Sequence, residues 1–260
     1  MKNGFLIFLA VFIALGGSWL GFVYGPVHQL GGAGQTTVLN SADGYPLQRP
    51  GDATLGLQVY RANGCVACHT EQIRQTGMAC SVGLTAAGNN PEAVTNLVSS
   101  LVLTNLTKED ADKAVGQITA AGGKSEIHII ATGPDVARGW GMRQSVADDY
   151  LYDQPVQLGS LRAGPDLANI GVRAPDANWQ LIHLYTPSGV VKGSTMPSFR
   201  YLFEFRKTGV SPSPQALQFP REFVLPDGYE VVPKPEAREL AAYLLSLRAN
   251  APLYSAPLSP

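Results

Sequence analysis

Charge is scarce in this 260-residue chain: Asp, Glu, Lys and Arg make up 15% of it, against roughly 25% in an average soluble domain. Nineteen basic residues face 20 acidic ones, for a net charge of -1, and no stretch concentrates basic residues. A nucleic-acid partner is excluded, because neutralising phosphates takes a dense cationic surface. Cysteine is scarce too. Three cysteines cannot build a disulfide framework, and two of them, Cys65 and Cys68, lie three apart, which points to cofactor or metal chemistry. What is plentiful is turn-forming residue: 28 Gly and 19 Pro predict a fold with much irregular loop. Apolar residues at 45% are enough for a sizeable core.

No formal charge occurs from Asn3 to Ala42, and Phe5 to Tyr24 is apolar, Gly and aromatic almost throughout. Twenty helical residues at about 1.5 Å each span about 30 Å, the thickness of a bilayer's hydrocarbon core. Trp19 and Tyr24 stand at the end where amphipathic rings favour the headgroups, and Lys2 at the other end places the body outside the cytoplasm by the positive-inside rule. A cleaved signal peptide ending near Val23 and Gly25 is the competing reading. The run is longer than the 7–15 residues of a signal h-region, and Pro26 would follow the cut, so a single-pass anchor over residues 1–25 is expected.

Residues 26–51 read as a juxtamembrane linker, and the globular domain is expected over 52–260. Asp52 is the expected N-cap of a helix carrying Leu55, Val59 and Tyr60 up to Gly64. Residues 81–131 read as an inserted helical subdomain, with one helix through Val94, Leu97, Val98 and Leu101 and a second opened by Thr107 and Asp110; Ile127 to Ala131 is a candidate strand. Residues 133–174 read as loop. A helix from Pro175 carries Trp179, Ile182 and His183 and stops before Pro187. The last helix runs from Pro235 to Arg248 with Leu240, Leu244 and Leu247 on one side.

The chemistry is concentrated in Gly64-Cys65-Val66-Ala67-Cys68-His69. C-x-x-C-H is the attachment signature of c-type haem: two thiols on one side of a turn add to the porphyrin's vinyl groups, and the next imidazole reaches the iron. A zinc half-site would need two more good ligands, of which Cys80 offers one at most; a redox dithiol would want a β-α-β setting that is absent. Cys80 itself reads as a buried or free thiol.

The iron's sixth position separates an electron carrier from a gas-binding or catalytic centre. Met78, Met142 and Met196 are the thioether candidates; His28, His128 and His183 are the imidazole candidates. Met196 is favoured because Gly193-Ser194-Thr195-Met196-Pro197 is an irregular segment before the last helix, stiffened by Pro197. The imidazole of His69 needs an acceptor for its second N–H, and the turn Gly164-Pro165-Asp166-Leu167 can supply the carbonyl of Pro165. Arg138, Arg143, Arg162 and Arg173 are candidates to pair the haem propionates.

With these residues in place, the chain resembles subunit II of cbb3-type haem-copper oxidases, their membrane-anchored monohaem cytochrome c subunit. The resemblance rests on Val59-Tyr60 through His69, Asp149-Tyr150-Leu151-Tyr152-Asp153 with Leu158-Gly159-Ser160, Arg162 to Ala168, Trp179 with His183-Leu184-Tyr185, and Met196-Pro197-Ser198-Phe199. It implies a mainly α fold: one transmembrane helix, then a class I-like cytochrome c domain with long loops. It implies one covalent haem c on Cys65 and Cys68, with His69 and Met196 as axial ligands. It further implies an electron relay among respiratory cytochromes toward the catalytic haem-copper subunit, from the outer face of the cytoplasmic membrane. Two segments depart from the family pattern, Cys80 to about Ala131 and Arg200 to Val232, both longer than usual. The cytochrome subunit of a nitric oxide reductase shares the same plan and is the nearest alternative, and a gas-binding or catalytic haem protein with an open axial site is the alternative from another class.

Overall fold

The computed structural model describes residues 3–31, 34–223 and 225–256, and falls into two compact units, one ending at Thr36 and one beginning at Thr37. In the first, helix Gly4–Trp19 continues through a π-helical turn, Leu20–Tyr24, into helix Gly25–Leu30. Gly4–Gln29 therefore forms a 26-residue apolar helical stretch, long and apolar enough to cross a membrane and with none of its surface buried. It runs past the expected boundary at residue 25, because Pro26 lies in the first turn of the second helix, where its missing N–H is no loss. The rings of Trp19, Tyr24 and His28 follow one another at 6.0 and 5.8 Å. Lys2, on which the orientation was read, lies outside the described residues.

The second unit is built on two crossing helices, Gly51–Ala62 and Pro235–Ser246. Ala53, Gly56 and Tyr60 are the buried face of the first, and Leu240, Ala241, Tyr243 and Leu244 belong to the buried face of the second. The ring of Tyr60 lies 5.2 Å from that of Tyr243. The crossing is close because Gly56 has no side chain: a Cβ there would stand 1.9 Å from the carbonyl oxygen of Glu239 and 2.8 Å from Cβ of Tyr243. Gly56→Ala is accordingly expected to lower stability by about 1–3 kcal/mol or more, since backbone must move to admit the methyl group; a fall in the thermal unfolding midpoint of the protein measures it. Helix Ala177–Tyr185, capped by Asp176 through Asn178 N–H and Trp179 N–H, closes the core with Ile182, Leu184 and Tyr185.

The predicted linker is largely part of this body. Residues 38–50 lie against it: Tyr45 is buried and donates to Asp149 Oδ1 at 2.6 Å, and Leu39 N–H reaches Pro252 O at 2.8 Å. Asp52 sits in the first turn of its helix rather than at the cap, which Pro50 occupies.

The insertion is α/β, not helical. Strands Gly77–Ala86 and Lys124–Thr132 pair antiparallel, with Cys80 opposite Ile129, and helices Pro91–Ser100 and Lys108–Ala120 connect them. The insertion has its own core of Cys80, Val82, Val94, Ala111, Ala114 and Ile118. Thr107 caps the second helix through Asp110 N–H. The stretch after Arg200 is not simple loop either, since Phe203–Lys207 pairs antiparallel with Tyr229–Pro233 and Phe205 stacks on Tyr229 at 4.8 Å.

Residues 133–174 contain short turns, including Pro134–Ala137 and Ile170–Arg173, and are fixed mainly by buried ions. Arg143 has no exposed surface. Its guanidinium donates to Asp149 at 2.7 and 3.0 Å, to Gln144 O at 2.9 Å and to Ala251 O at 2.6 Å. A buried guanidinium is tolerated only when its donors are met in this way. Arg143, a candidate for a propionate, is thus committed to the fold.

Candidate functional site

Helix Gly51–Ala62 ends at Asn63, and Gly64 turns the chain at φ +66°, a left-handed conformation that glycine adopts without a steric penalty. The chain then makes a single 3₁₀ turn over Cys65–Ala67. The amides of Cys68 and His69 both bond to the carbonyl of Cys65, at 3.1 and 3.0 Å. The turn thereby holds the three residues together at the end of a helix whose other face is core. All three cysteines are free thiols: Cys65 is half-buried, Cys68 exposed and Cys80 buried in the insertion. Burial pushes the Cys65 thiol up to about 11, which favours the protonated form. Among the described residues no group of three or more His, Cys, Asp and Glu side chains stands together as a metal site.

The imidazole of His69 is oriented by its Nδ1, which donates to Pro165 O at 2.8 Å. That bond fixes the tautomer and leaves Nε2 free to ligate. Burial lowers the His69 pKa, opposed by the Pro165 hydrogen bond, which favours the neutral form a metal requires. Gly164 makes room for it. A Cβ on Gly164 would stand 2.2 Å from Cε1 of His69 and 2.7 Å from Nδ1. In Gly164→Val the ring must turn off its carbonyl, and the expected result is about a tenfold or greater loss of haem-bearing protein, within the range for loss of a partner that orients a ligand; the Soret-to-280 nm absorbance ratio reads it.

A polar lattice fixes the chain beyond His69. Asp166 accepts from Thr70 Oγ1 at 2.6 Å, Gln72 N–H at 2.8 Å and Ala168 N–H at 2.9 Å. Arg162 donates to Thr70 Oγ1 at 2.9 Å, Asp135 Oδ1 at 2.6 Å and Gln72 O at 2.6 Å. Arg162, expected beside a propionate, is engaged with the protein through all three of its nitrogens. Glu71 is buried beneath; Tyr243 OH lies 2.9 Å from both its oxygens, and burial pushes its carboxyl up to about 8. This lattice was not read from sequence, although a signal was there. The two Gly-Pro-Asp triplets at 133 and 164 both deliver a buried aspartate, Asp135 and Asp166, and both carboxylates face Arg162.

Met196 is half-buried and packs, with Cys65, Val66, Ala174, Leu181 and Phe199, on the core cluster that holds Tyr60 and Ile182. Its segment is pinned to the neighbouring helix by Phe199 N–H to Leu184 O at 2.9 Å and turns at Gly193, φ +80°. Met78 and Met142 point to solvent, 67% and 52% exposed; Met78 belongs to the insertion strand and pairs with Ala131. His128 lies in the same hairpin, against Gly83, and His28 in the apolar helix. His183 stacks parallel on Trp179 at 5.0 Å, and burial with the nearby His69 lowers its pKa to about 4. Arg173 donates to the carbonyl of Asp166, and Arg138 lies over the ring of Trp140. Tyr201, not singled out from sequence, bonds through its hydroxyl to Asn63 beside the Cys65 turn.

These features fit a covalent haem. Two free thiols, an imidazole held by its far nitrogen and a glycine cleared for the ring form one constellation. Residues 131–237 match the family described as cytochrome C oxidase, mono-heme subunit/FixO, which meets the resemblance to subunit II of cbb3-type oxidases and supports one haem and a place in an oxidase complex. The matched stretch is about two fifths of the chain and includes Arg162, Pro165 and Met196, while Cys65, Cys68 and His69 precede it. No curated protein matches the chain.

Proposed function

From the family match over residues 131–237 we propose that this chain is a membrane-anchored c-type cytochrome that passes single electrons from a respiratory donor to the catalytic subunit of a cbb3-type haem-copper oxidase. The observation that carries the reading is the His69 Nδ1 to Pro165 O bond, set in the same turn as two free thiols. In this reading Cys65 and Cys68 would hold the haem through thioethers, and His69 Nε2 and the Met196 sulfur would ligate its iron. Bound there, haem c supplies a one-electron ferric/ferrous couple and no substrate chemistry. The chain's own residues do the rest. Pro165 and Gly164 orient the imidazole, the core of Tyr60, Ile182 and Tyr243 excludes water, and the lattice on Arg162 keeps the ligand loop from shifting between oxidation states, which keeps reorganisation small.

The apolar stretch Gly4–Gln29 serves as the anchor, with the body on the extracytoplasmic side. Acid–acetone extraction tests covalent attachment: the pigment stays with the polypeptide. Carbon monoxide added to the reduced protein tests the axial pair. Little spectral change marks a relay with both positions filled, and ready binding of the gas overturns it in favour of an open site.

A further inference from the structure

The segments that carry Cys65 and Met196 are tied to each other near the surface. Asn63 stands two residues before Cys65, and Tyr201 five residues after Met196. The Tyr201 hydroxyl donates to Asn63 Oδ1 and so joins positions 138 apart. Among the described residues no other hydrogen bond links 191–202 to 51–69. The acceptor is oriented for this bond. Asn63 Nδ2 donates to Val59 O at 2.7 Å, at the end of helix Gly51–Ala62, which commits the amide nitrogen and leaves the oxygen to accept. The donor is held as firmly. Tyr201 lies in the turn Arg200–Leu202, and its carbonyl accepts from Lys234 Nζ at 2.8 Å. Leu202 O accepts from Lys234 N–H at 3.0 Å, next to the pairing of Phe203 with Pro233. The Tyr201 ring meets that of Phe199 edge-on at 6.1 Å, and Phe199 and Met196 pack on the same core cluster. Yet Tyr201 is 60% exposed, so burial accounts for little of its placement, which a free surface side chain would give up to rotamer entropy.

Resting on the assignment of Met196 to the iron, we propose that Tyr201 is a positioning residue for that ligand: through Asn63 it latches the Met196 segment to the helix that ends in the Cys65 turn, and so sets how often the sulfur leaves. The Phe199 N–H to Leu184 O bond refers the segment to helix Ala177–Tyr185 alone. The latch refers it to the turn that presents the thiols and His69, the other ligand of the same iron. A relay needs its sixth ligand in place in both oxidation states, because each departure opens the iron to gases. Tyr201 is exposed and Asn63 partly so, so water replaces either partner when the bond is lost. The latch therefore acts on local opening far more than on global stability.

The test uses the full-length holoprotein in detergent, with haem content and the ferric sulfur-to-iron charge-transfer band recorded first. Carbon monoxide binds the reduced iron only where the sulfur has left, so its apparent affinity, read from the Soret change, scales with the open fraction. In Tyr201→Phe, which keeps the ring and loses the donor, that affinity is expected to rise about two- to tenfold, the equilibrium factor of one net hydrogen bond. Asn63→Ala is expected to act in the same direction. Adding Tyr201→Phe to Asn63→Ala is expected to raise the affinity no further, since the bond is already gone. Asn63→Asp, which keeps an acceptor for the phenol, is expected to stay within about twofold of the parent. Thermal unfolding midpoints separate a loosened fold from a loosened ligand, and Tyr201→Phe is expected to leave the midpoint nearly unmoved. Parent-like affinity in Tyr201→Phe, or effects that add in the double variant, overturns the latch and leaves Met196 on the iron. A parent without the sulfur-to-iron band, or one that binds the gas as tightly as Met196→Ala, overturns the ligand assignment and the latch with it.

Discussion

Cys65→Ser/Cys68→Ser is expected to yield a folded chain without bound pigment on a denaturing gel. The two sulfurs are presented by one 3₁₀ turn, entered through Gly64 in the left-handed region and closed by the Cys65 carbonyl. Serine fits that turn but forms no thioether, so haem retained by His69 alone would be non-covalent and lost on extraction. Each single variant keeps one link and is expected to hold less haem, with a red-shifted reduced spectrum from the surviving vinyl group. The folding of the double variant is measured separately by circular dichroism, because the core of Tyr60, Leu240 and Tyr243 meets only Cys65 of the two, and that at its edge. Haem that remains attached in the double variant would require another linkage and would end the covalent reading.

Met196→Ala is expected to keep covalent haem, to lower the reduction potential by on the order of 100 mV, and to make the reduced protein bind carbon monoxide. A thioether stabilises ferrous iron, and exchanging it for water or hydroxide favours the ferric state. The segment holding Met196 is fixed at both ends, by Ser194 N–H to Val191 O at 3.0 Å and Phe199 N–H to Leu184 O at 2.9 Å, so truncating the side chain opens a position without releasing the loop. Equilibrium redox titration and the absorbance of the gas adduct measure the two effects. An unchanged potential would move the ligand elsewhere. His183 is a poor replacement while it stays stacked on Trp179, and Met142 would have to leave the surface.

The candidate site stands out where chemistry dictates sequence. Thioether attachment admits few spacings, and an imidazole that must be oriented calls for a free carbonyl, so Cys65, Cys68, His69 and the Pro165 turn stand out in the sequence, and the structure brings His69 onto the Pro165 carbonyl. The helices at Gly51–Ala62, Ala177–Tyr185 and Pro235–Ser246 were legible from their apolar stripes. Strand Gly77–Ala86 was not, because its inward positions are Cys80 and Val82 among Gly, Ala and Ser, too small for a strong alternation. The linker reading failed on Tyr45 and Arg49. Both are anchored by residues about a hundred positions away, Asp149 and Asp153, and pairing at that separation leaves no local signature. The partners of Arg143 and Arg162 were missed for the same reason: an arginine in a Gly-rich loop resembles a free surface cation until its buried carboxylates are known.

The insertion leaves and re-enters the parent chain at one point. Gly77 pairs with Thr132, Thr76 N–H bonds to Thr132 O at 2.9 Å, and Gly133 lies so close that a Cβ on it would stand 3.0 Å from Thr76 N. A segment whose two ends already touch adds little closure entropy to its host, and its separate core lets its composition drift without disturbing the body that carries Cys65, Cys68 and His69. Such a cassette can be gained, exchanged or dropped in a single event while the helices beside it keep their packing.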